Sequence, residues 1–331
     1  MSASTYTKDV GMKSFEIKEN DQNQRLDKFL TKSVPNLPMS LMYKYIRTKR
    51  IKVNRKRAEI STRLNKGDIV ELYINDEFFT PAETRYDFMS ASTKINIIYE
   101  DENILLLDKP AGLLCHPDDR EYNDTLITRI KRYLYEKGEF NPDEENSFTP
   151  SLANRIDRNT MGIVIAAKNA ESLRVLNQKL KDREIHKYYC LIVHGCPKKK
   201  KDILTGYLEK DEKKNLVSVS HTKSENKKEI RTKYEVLETK GNLSLVEVEL
   251  LTGRTHQIRS HFASIGNPLL GDGKYGTNKL NKEKGYKKQC LCSYKLNFDF
   301  TTDAGILEYL NHKTFQINDI WFKREFLNGT L

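Results

Sequence analysis

The segment 243–250 constrains the fold more than any other part of the sequence. Within it, Val246, Val248 and Leu250 alternate with Glu247 and Glu249. Successive side chains of a β-strand point to opposite faces, so this alternation predicts a strand with one buried and one wet face. Sheets with a wet face are antiparallel or mixed. Shorter apolar runs predict further strands at residues 95–99, 104–108, 163–167 and 189–193.

Two amphipathic helices are predicted between these strands. The first begins after Asn169 and the second ends at Gly266, a residue typical of helix C-caps. Their apolar positions are Leu173, Leu176 and Leu180 in the first helix, and Ile258, Phe262 and Ile265 in the second. Helices mixed with a largely antiparallel sheet indicate an α+β fold.

Composition and periodicity divide the chain into four parts. Residues 1–22 are polar and predict a flexible tail, and residues 23–75 predict a small unit with two helices and two short strands. Residues 76–94 have little periodicity and are interpreted as a linker. The remaining residues, 95–331, are expected to form one larger domain.

The overall charge points to a polyanionic partner. The 331 residues carry a formal net charge of +11 with an isoelectric point near 9.2, which favours nucleic acid or an anionic membrane surface. No stretch approaches the roughly 20 apolar residues of a membrane helix, and no apolar signal segment opens the chain, so a cytoplasmic protein is expected. The five cysteines lack a CxxC spacing and predict no disulfide framework.

A basic segment in the small unit is the strongest indication of RNA. Residues 44–57 hold eight basic residues and no acidic one, a density suited to neutralising phosphates. With Arg25-Leu26-Asp27, Val53-Asn54 and Gly67-Asp68, the unit resembles the S4 RNA-binding domain, although Lys49-Arg50 and Arg55 stand where glycine is common. The resemblance implies RNA contacts by Arg25, Lys44, Arg47, Lys49, Arg50, Lys52 and Arg55.

Asp157 is the leading candidate for chemistry. It lies between Arg155 and Arg158, directly before the predicted strand 163–167. Neighbouring cations favour the ionised carboxylate, and an ionised, partly desolvated carboxylate is a candidate nucleophile. From these residues alone, a structural salt bridge in a turn is the favoured interpretation.

A second constellation runs from Thr252 to His261 and opens the second helix. Five residues turn a helix by about 500°, which leaves His256 and His261 roughly 140° apart and argues against a shared metal. The glycine-rich stretch that follows, residues 267–276, lacks the pattern of a nucleotide-binding P-loop.

Four ordered stretches together resemble the RluA/RluD-type pseudouridine synthases. The matching residues are Lys109-Pro110, Gly112-Leu113 and His116-Pro117; Arg155-Ile156-Asp157, Thr160, Gly162 and Ala167-Lys168-Asn169; Lys187, Tyr189, Val193 and Gly195; and Gly253 through Gly276 almost without change. Three positions depart from the family pattern: Asn154 and Cys292 replace histidines, and Met161 replaces a serine.

The resemblance implies a fold and a reaction. The fold is a catalytic domain on a mixed, mostly antiparallel sheet with flanking helices, preceded by a small α/β S4-like domain. The reaction breaks the N1–C1′ bond of a uridine in RNA and rejoins the base through C5. This isomerisation is redox-neutral and hydrolyses nothing, so neither a cofactor nor a metal is expected.

The resemblance also implies residue roles. Asp157 is the expected nucleophile at C1′, or the group that assists loss of the 2′ proton to give a glycal. Arg259 is expected to pair with it, and Tyr189 to stack on the base and serve in proton removal at C5. Arg155 is expected to hold a flipped-out nucleotide. The expected walls of the uracil pocket, or plain core positions, are Ile258 and Leu291.

Large-subunit ribosomal RNA is the first expected substrate, transfer RNA the second, and a monomer the expected state. Two rival functions remain open at this point. One is a non-catalytic RNA-binding or ribosome assembly factor that keeps the fold. The other is a hydrolase using His256, which requires a second histidine or a metal ligand on the same face.

Overall fold

The computed structural model describes residues 11–79, 86–211, 216–276, 281, 285–286 and 288–331. They form a small N-terminal domain and a larger one. The elements of the small domain are β1 (Met12–Glu16), α1 (Leu26–Ser33), α2 (Met39–Arg47), β2 (Ile51–Val53), β3 (Lys56–Arg57) and β4 (Ile69–Tyr73). The strands pair antiparallel in the order β1-β4-β2-β3.

The two helices predicted for the small unit are confirmed, and each buries an apolar face. The residues of these faces form one buried cluster with the sheet: Leu26, Phe29 and Leu30 of α1, and Met42, Tyr45 and Ile46 of α2. The helix α1 begins after Arg25. This domain therefore has a hydrophobic core of its own.

The flexible tail predicted for residues 1–22 is wrong for the part that the structure describes. Met12–Glu16 forms the edge strand β1, with Met12 opposite Tyr73 and Glu16 opposite Ile69, and Ile17 is buried. Four of the five side chains in β1 are exposed. An edge strand of this kind is held by backbone pairing, which leaves no apolar alternation in the sequence to predict it. Residues 1–10 lie outside the described part.

Three residues of the basic segment 44–57 adopt the left-handed backbone conformation that glycine favours. Lys49, Asn54 and Arg55 have φ of 62°, 51° and 63°, and the Asn54-Arg55 pair forms the two-residue turn between β2 and β3. Left-handed backbone costs a non-glycine residue roughly 1–2 kcal/mol. The turn is held by hydrogen bonds from the Arg55 N–H to Glu71 Oε2 at 2.7 Å and from Asn54 Nδ2 to Asp68 Oδ1 at 2.8 Å.

The larger domain is built on one sheet. In chain order its elements are β5 (Ile97–Glu100), β6 (Ile104–Lys109), α3 (Leu126–Glu136), β7 (Ser151–Leu152), β8 (Met161–Ala167), α4 (Ala170–Lys181), β9 (Ile185–His194), β10 (Lys201–Asp211), β11 (Leu216–Ser220), β12 (Lys228–Lys240), β13 (Leu243–Leu250), α5 (Gln257–Ser264), β14 (Leu291–Phe298), β15 (Thr314–Gln316) and α6 (Trp321–Leu327).

Within the described residues, the strand order is β11-β10-β12-β13-β9-β14-β8-β6-β5, with β15 on β14 and β7 on β8. The β14–β8 pair is parallel, and the other described pairs are antiparallel. The predicted α+β fold with a mixed, mostly antiparallel sheet is confirmed.

Helices cover both sides of the central strands. Along β6, Leu105 and Leu107 pack in the cluster that contains α3 and α5, whereas Ile104 and Leu106 pack in the cluster that contains α4. The fully wet face predicted from β13 is therefore limited to the end of that strand. There Glu247 and Glu249 bind other polar residues of the sheet.

The small domain is docked on the larger one through polar contacts. The buried carboxylate of Asp21 accepts hydrogen bonds from Asn146 Nδ2 at 2.7 Å and from Ser147 Oγ at 2.6 Å. Asn20 Oδ1 accepts from the Ala170 N–H at the start of α4, at 3.1 Å. The stretch predicted as a linker includes Phe88, which is buried against the core of the larger domain; residues 80–85 lie outside the described part.

The crossing of β8 and β14 requires a glycine. Gly162 has φ of 113°, and a Cβ at this position would lie 2.2 Å from the Ser293 carbonyl oxygen. Because Gly162 lies opposite Ser293 in the parallel pairing that joins the two strands, a side chain here would push the strands apart.

We expect Gly162→Ala to destabilise the protein by roughly 2–4 kcal/mol, through backbone strain and overpacking together. Gly138→Ala is the control, because Gly138 has φ of 76° but open space around its Cβ, so it should cost only about 1 kcal/mol of strain. Urea unfolding measures both values. Equal losses would contradict the steric argument.

Candidate active site

A cleft of about 1030 Å³ opens where the loop before β8 meets the start of α5. Its lining includes the six larger-domain residues singled out from the sequence: Arg155, Asp157, Tyr189, Ile258, Arg259 and Leu291. The residues come from four separate parts of the chain. The fold therefore brings together side chains that no local sequence pattern connects.

A buried lysine fixes the loop that carries Asp157. Lys109 is 0% exposed, and its ammonium donates to three carbonyl oxygens, those of Pro110 at 3.0 Å, Leu113 at 2.7 Å and Arg158 at 3.0 Å. The Gly112 N–H also donates to the Arg158 carbonyl, at 2.8 Å. Burial lowers the pKa of Lys109 to about 8, against an opposing effect of nearby acidic groups that include Asp157. The Lys109 ammonium thus links the loop after β6 to the loop before β8.

Arg259 is shared between two carboxylates. Its Nη1 donates to Asp157 Oδ2 at 2.9 Å, while Nε and Nη2 donate to Asp272 Oδ2 and Oδ1 at 2.7 and 2.9 Å. The side chain of Asp272 is 0% exposed and that of Asp157 is 25% exposed. One carboxylate therefore lies inside the protein and the other faces the cleft.

Electrostatic interactions keep both Arg259 and Asp272 ionised. Burial by itself would lower the pKa of Arg259, but Asp272 and then Asp157 raise it overall. Burial would raise the pKa of Asp272, yet Arg259 and the backbone N–H groups of Lys274 and Tyr275 lower it. No role was predicted from the sequence for Asp272, which lies in the glycine-rich loop after α5. Its signals were its position in the stretch 253–276 that matches the family pattern and its place as the one acidic residue of residues 267–276.

His256 is held by the same loop. It caps α5 in a left-handed conformation with φ of 54°, and its Nδ1 lies 2.8 Å from the hydroxyl of Tyr275. That hydroxyl accepts the Val217 N–H at 3.0 Å, so its own proton is available to Nδ1. The ring proton then resides on Nε2, which lies 3.8 Å from Asp157 Oδ2. Burial lowers the pKa of His256, which favours this neutral form.

The metal and hydrolase interpretations of His256 gain no support from the geometry. His261 Nδ1 lies 2.9 Å from Thr232 Oγ1, away from the Tyr275 partner of His256. Among the described residues, no group of three or more potential ligands is arranged to hold a metal ion.

Tyr189 is 5% exposed on β9. Burial raises the pKa of its phenol; Ser293 opposes this rise and the charge of Asp157 adds to it. The Tyr189 phenol is therefore protonated at neutral pH in the ligand-free protein. Leu291, paired opposite Leu191 on the neighbouring strand, lines the same cleft.

The three departures from the family pattern have structural roles. Asn154 Oδ1 accepts the Ile165 N–H at 2.8 Å and so ties the loop to β8. Cys292 is fully buried next to Met161 in the parallel pairing, and it packs with Cys190 and Cys290 away from the cleft. Cys290 and Cys292 are both buried free thiols.

The predicted RNA contacts differ in exposure. Lys44, Arg47, Lys49 and Arg55 are exposed, and Arg155 is exposed at the rim of the cleft. The other three are partly engaged: Arg50 lies over the ring of Tyr45, Lys52 lies over the ring of Tyr73, and Arg25 pairs with Asp27 at 3.0 Å. The structure does not bring the small-domain residues into the cleft lining.

Comparison with known proteins identifies the class. The site combines an arginine-held carboxylate in a cleft of an α+β domain with an N-terminal domain that carries a basic segment. The family model described as RNA pseudouridylate synthase matches residues 103–264, and the S4 domain model matches residues 24–70.

Relatives support the same assignment over nearly the full chain. An uncharacterized RNA pseudouridine synthase of Mycoplasma capricolum is 34% identical, over 95% of this chain and 100% of its own length. The ribosomal large subunit pseudouridine synthase C of Rickettsia felis is 32% identical, over 84% of this chain and 95% of its own. The chain belongs to the RNA pseudouridine synthase family, whose members isomerise uridine in RNA.

A solved structure shares the fold. Human RNA pseudouridylate synthase domain containing 4 has a TM-score of 0.54 and 19% identity, covering 71% of this chain and 92% of its own. Within the part of the chain that the structure describes, none of the helices has the length and apolar character needed to span a membrane.

We expect Asp272→Asn to destabilise the protein by about 3 kcal/mol, because it leaves the Arg259 charge buried with one carboxylate fewer. Pseudouridine formation should fall at least tenfold, since Arg259 loses the partner that orients it. Denaturant unfolding and an isomerisation assay measure the two effects. Asp303→Asn, at an exposed carboxylate outside the cleft, should change neither. Wild-type stability in Asp272→Asn would contradict this account of the pair.

The lowered pKa of Lys109 predicts a pH-dependent stability. Between about pH 8 and 10.5 the unfolded chain binds a proton at Lys109 that the folded protein has lost, so stability attributable to this residue rises with pH across that window. The free energy of unfolding of wild type minus that of Lys109→Met should therefore increase from pH 8 to 10.5. A pH-independent difference would show that the ammonium is not desolvated.

Proposed function

We propose that this protein converts uridine to pseudouridine in large-subunit ribosomal RNA, with Asp157 as the nucleophile. The observation that carries the proposal is the cleft carboxylate of Asp157, held at 2.9 Å by an arginine whose other side is neutralised by the buried Asp272. A module that only binds RNA phosphates has no need of a carboxylate that is 25% exposed in its cleft. This argues against the non-catalytic assembly factor.

The proposed reaction begins at the ribose. Asp157 attacks C1′, the N1–C1′ bond breaks, and the uracil leaves with the electron pair on N1. After rotation of the base, C5 bonds to C1′, the Asp157–C1′ bond breaks, C5 loses its proton and N1 gains one. In the alternative route, Asp157 assists loss of the 2′ proton and a glycal replaces the covalent intermediate. The geometry is compatible with both routes.

The remaining cleft residues have supporting roles in this proposal. Tyr189 stacks on the detached base, and its raised pKa favours this role over that of a general base at C5. Arg155 is exposed at the rim without a hydrogen bond or ion pair to another described residue, so it is available to hold the flipped-out nucleotide. Ile258 and Leu291 supply apolar walls for the uracil.

The substrate proposal rests on the relatives and on charge. Relatives at 30–32% identity carry the name ribosomal large subunit pseudouridine synthase C. The exposed Lys44, Arg47 and Arg55 give the S4 domain a surface for phosphates. Transfer RNA is the second candidate substrate. We further propose that the protein acts as a cytoplasmic monomer.

Tritium release from RNA containing 5-tritiated uridine tests both parts of the proposal, because the C5 proton is lost only on isomerisation. Wild type should release tritium from large-subunit ribosomal RNA and not from transfer RNA. Asp157→Asn should lose activity at least 10³-fold while binding RNA normally, since the amide is a poor nucleophile.

Asp119→Asn is the matched control, because this exposed carboxylate lies on a neighbouring loop outside the cleft lining. It should retain wild-type activity. Residual activity within tenfold of wild type in Asp157→Asn would refute the nucleophile. Release from transfer RNA alone would replace the substrate and leave the reaction intact.

A further inference from the structure

Lys187 is a cation inside the cleft that the reaction scheme does not use. It lies on β9 two residues before Tyr189, so the alternation of a strand directs both side chains to the same side. Both residues line the cleft. Its cross-strand neighbour is Leu296, which is buried. The lysine therefore extends from an apolar strand surface into the site that contains Asp157.

No counter-ion is available to Lys187 in the described part of the protein. The three carboxylates that line the cleft are engaged elsewhere: Asp157 by Arg259 at 2.9 Å, Glu249 by Lys233 at 2.8 Å, and Asp118 by two backbone N–H groups of its own loop. Among the described residues, no hydrogen bond or ion pair reaches the Lys187 ammonium; only the backbone of this residue is paired, in the strand ladder. Its pKa is lowered with burial as the sole cause, which agrees with a cation that lacks a carboxylate neighbour.

The other cations of the cleft are in different situations. Arg259 is saturated by two carboxylates. The remaining arginine and lysine side chains of the lining are exposed, where water solvates them: Arg155, Arg158, Lys181, Arg183 and Arg254. Lys187 is only partly exposed. Desolvating an unpaired ammonium at this position costs free energy, and no described residue of the ligand-free protein offsets that cost.

A ligand anion would offset that cost. A nucleotide that enters the cleft carries phosphates with it, and an ammonium is a point-charge donor that suits a phosphate oxygen. We propose that Lys187 Nζ binds a backbone phosphate of the RNA at the target nucleotide, as a phosphate subsite next to the uracil pocket. This inference rests on the proposed function, because it takes RNA as the occupant of the cleft.

The test compares Lys187→Met with Lys94→Met. Lys94 is an exposed lysine outside the cleft lining, so the control removes the same charge. Binding of a large-subunit ribosomal RNA transcript is measured over a range of salt concentrations, and thermal unfolding is measured without RNA. Binding is independent of isomerisation and can be repeated in the Asp157→Asn background.

Lys187→Met should bind the transcript roughly three- to tenfold more weakly, with the slope of log K against log salt reduced in magnitude by about 1, as expected for one lost phosphate contact. It should also raise the Tm, because a desolvated charge is removed. Lys94→Met should leave the Tm unchanged and alter binding less than twofold.

A structural lysine would behave in the opposite way. A lowered Tm in Lys187→Met would overturn the proposal, because it would show that the charge stabilises the ligand-free protein. An unchanged salt slope would also overturn it, because it would show that no phosphate contact is lost. If wild type forms no pseudouridine in any RNA, the proposed function fails regardless of Lys187. If Asp157→Asn is inactive while Lys187→Met binds as wild type, only the phosphate subsite fails.

Discussion

The guanidinium of Arg259 is the interaction on which the site depends. It joins Asp157, on the loop before β8, to Asp272, on the loop after α5, with contacts of 2.7 to 2.9 Å. Three segments that are distant in sequence are thereby fixed to one another. Buried charges are costly unless they are paired and hydrogen-bonded, and the bidentate contact with Asp272, further held by two backbone N–H groups, meets that condition.

The two carboxylates have different environments: Asp272 is placed to orient the guanidinium, and Asp157 is placed to meet a ligand in the cleft. Asp272 is fully enclosed and accepts two hydrogen bonds from the guanidinium, whereas Asp157 accepts one from it and retains 25% exposure. An anion with spare lone pairs at the edge of a cleft is available for reaction with a substrate atom. The Lys109 ammonium ties the Arg158 carbonyl of this loop to the Pro110 and Leu113 carbonyls of the loop after β6. The Asp157 side chain faces the cleft.

Local patterns predicted much of the fold but only part of the site. Strong alternation marked β13, and helical spacing marked α4, because both burial patterns are short-range. The edge strand β1 carried no such pattern and was missed. Asp157, Tyr189 and Arg259 were assigned roles through ordered motifs. Asp272 lies in the same matching stretch as Arg259 but received no role, because its importance comes from a guanidinium supplied by another element. A pair formed by tertiary packing has no period in the sequence.

The distribution of cations suggests two stages of RNA binding with different physics. The exposed lysines and arginines of the S4 domain act over a Debye length of about 10 Å, so they can attract and retain RNA without discriminating among sequences. The strain accepted at Lys49 and Arg55, where glycine would be free of it, fits positions kept for charge rather than for stability. A partly buried cation such as Lys187 acts only at contact, where desolvation makes pairing strong. Only a nucleotide inside the cleft can offset the desolvation cost of the Lys187 ammonium. The protein would therefore discriminate at this second stage between a uridine that enters the cleft and RNA that lies on the surface.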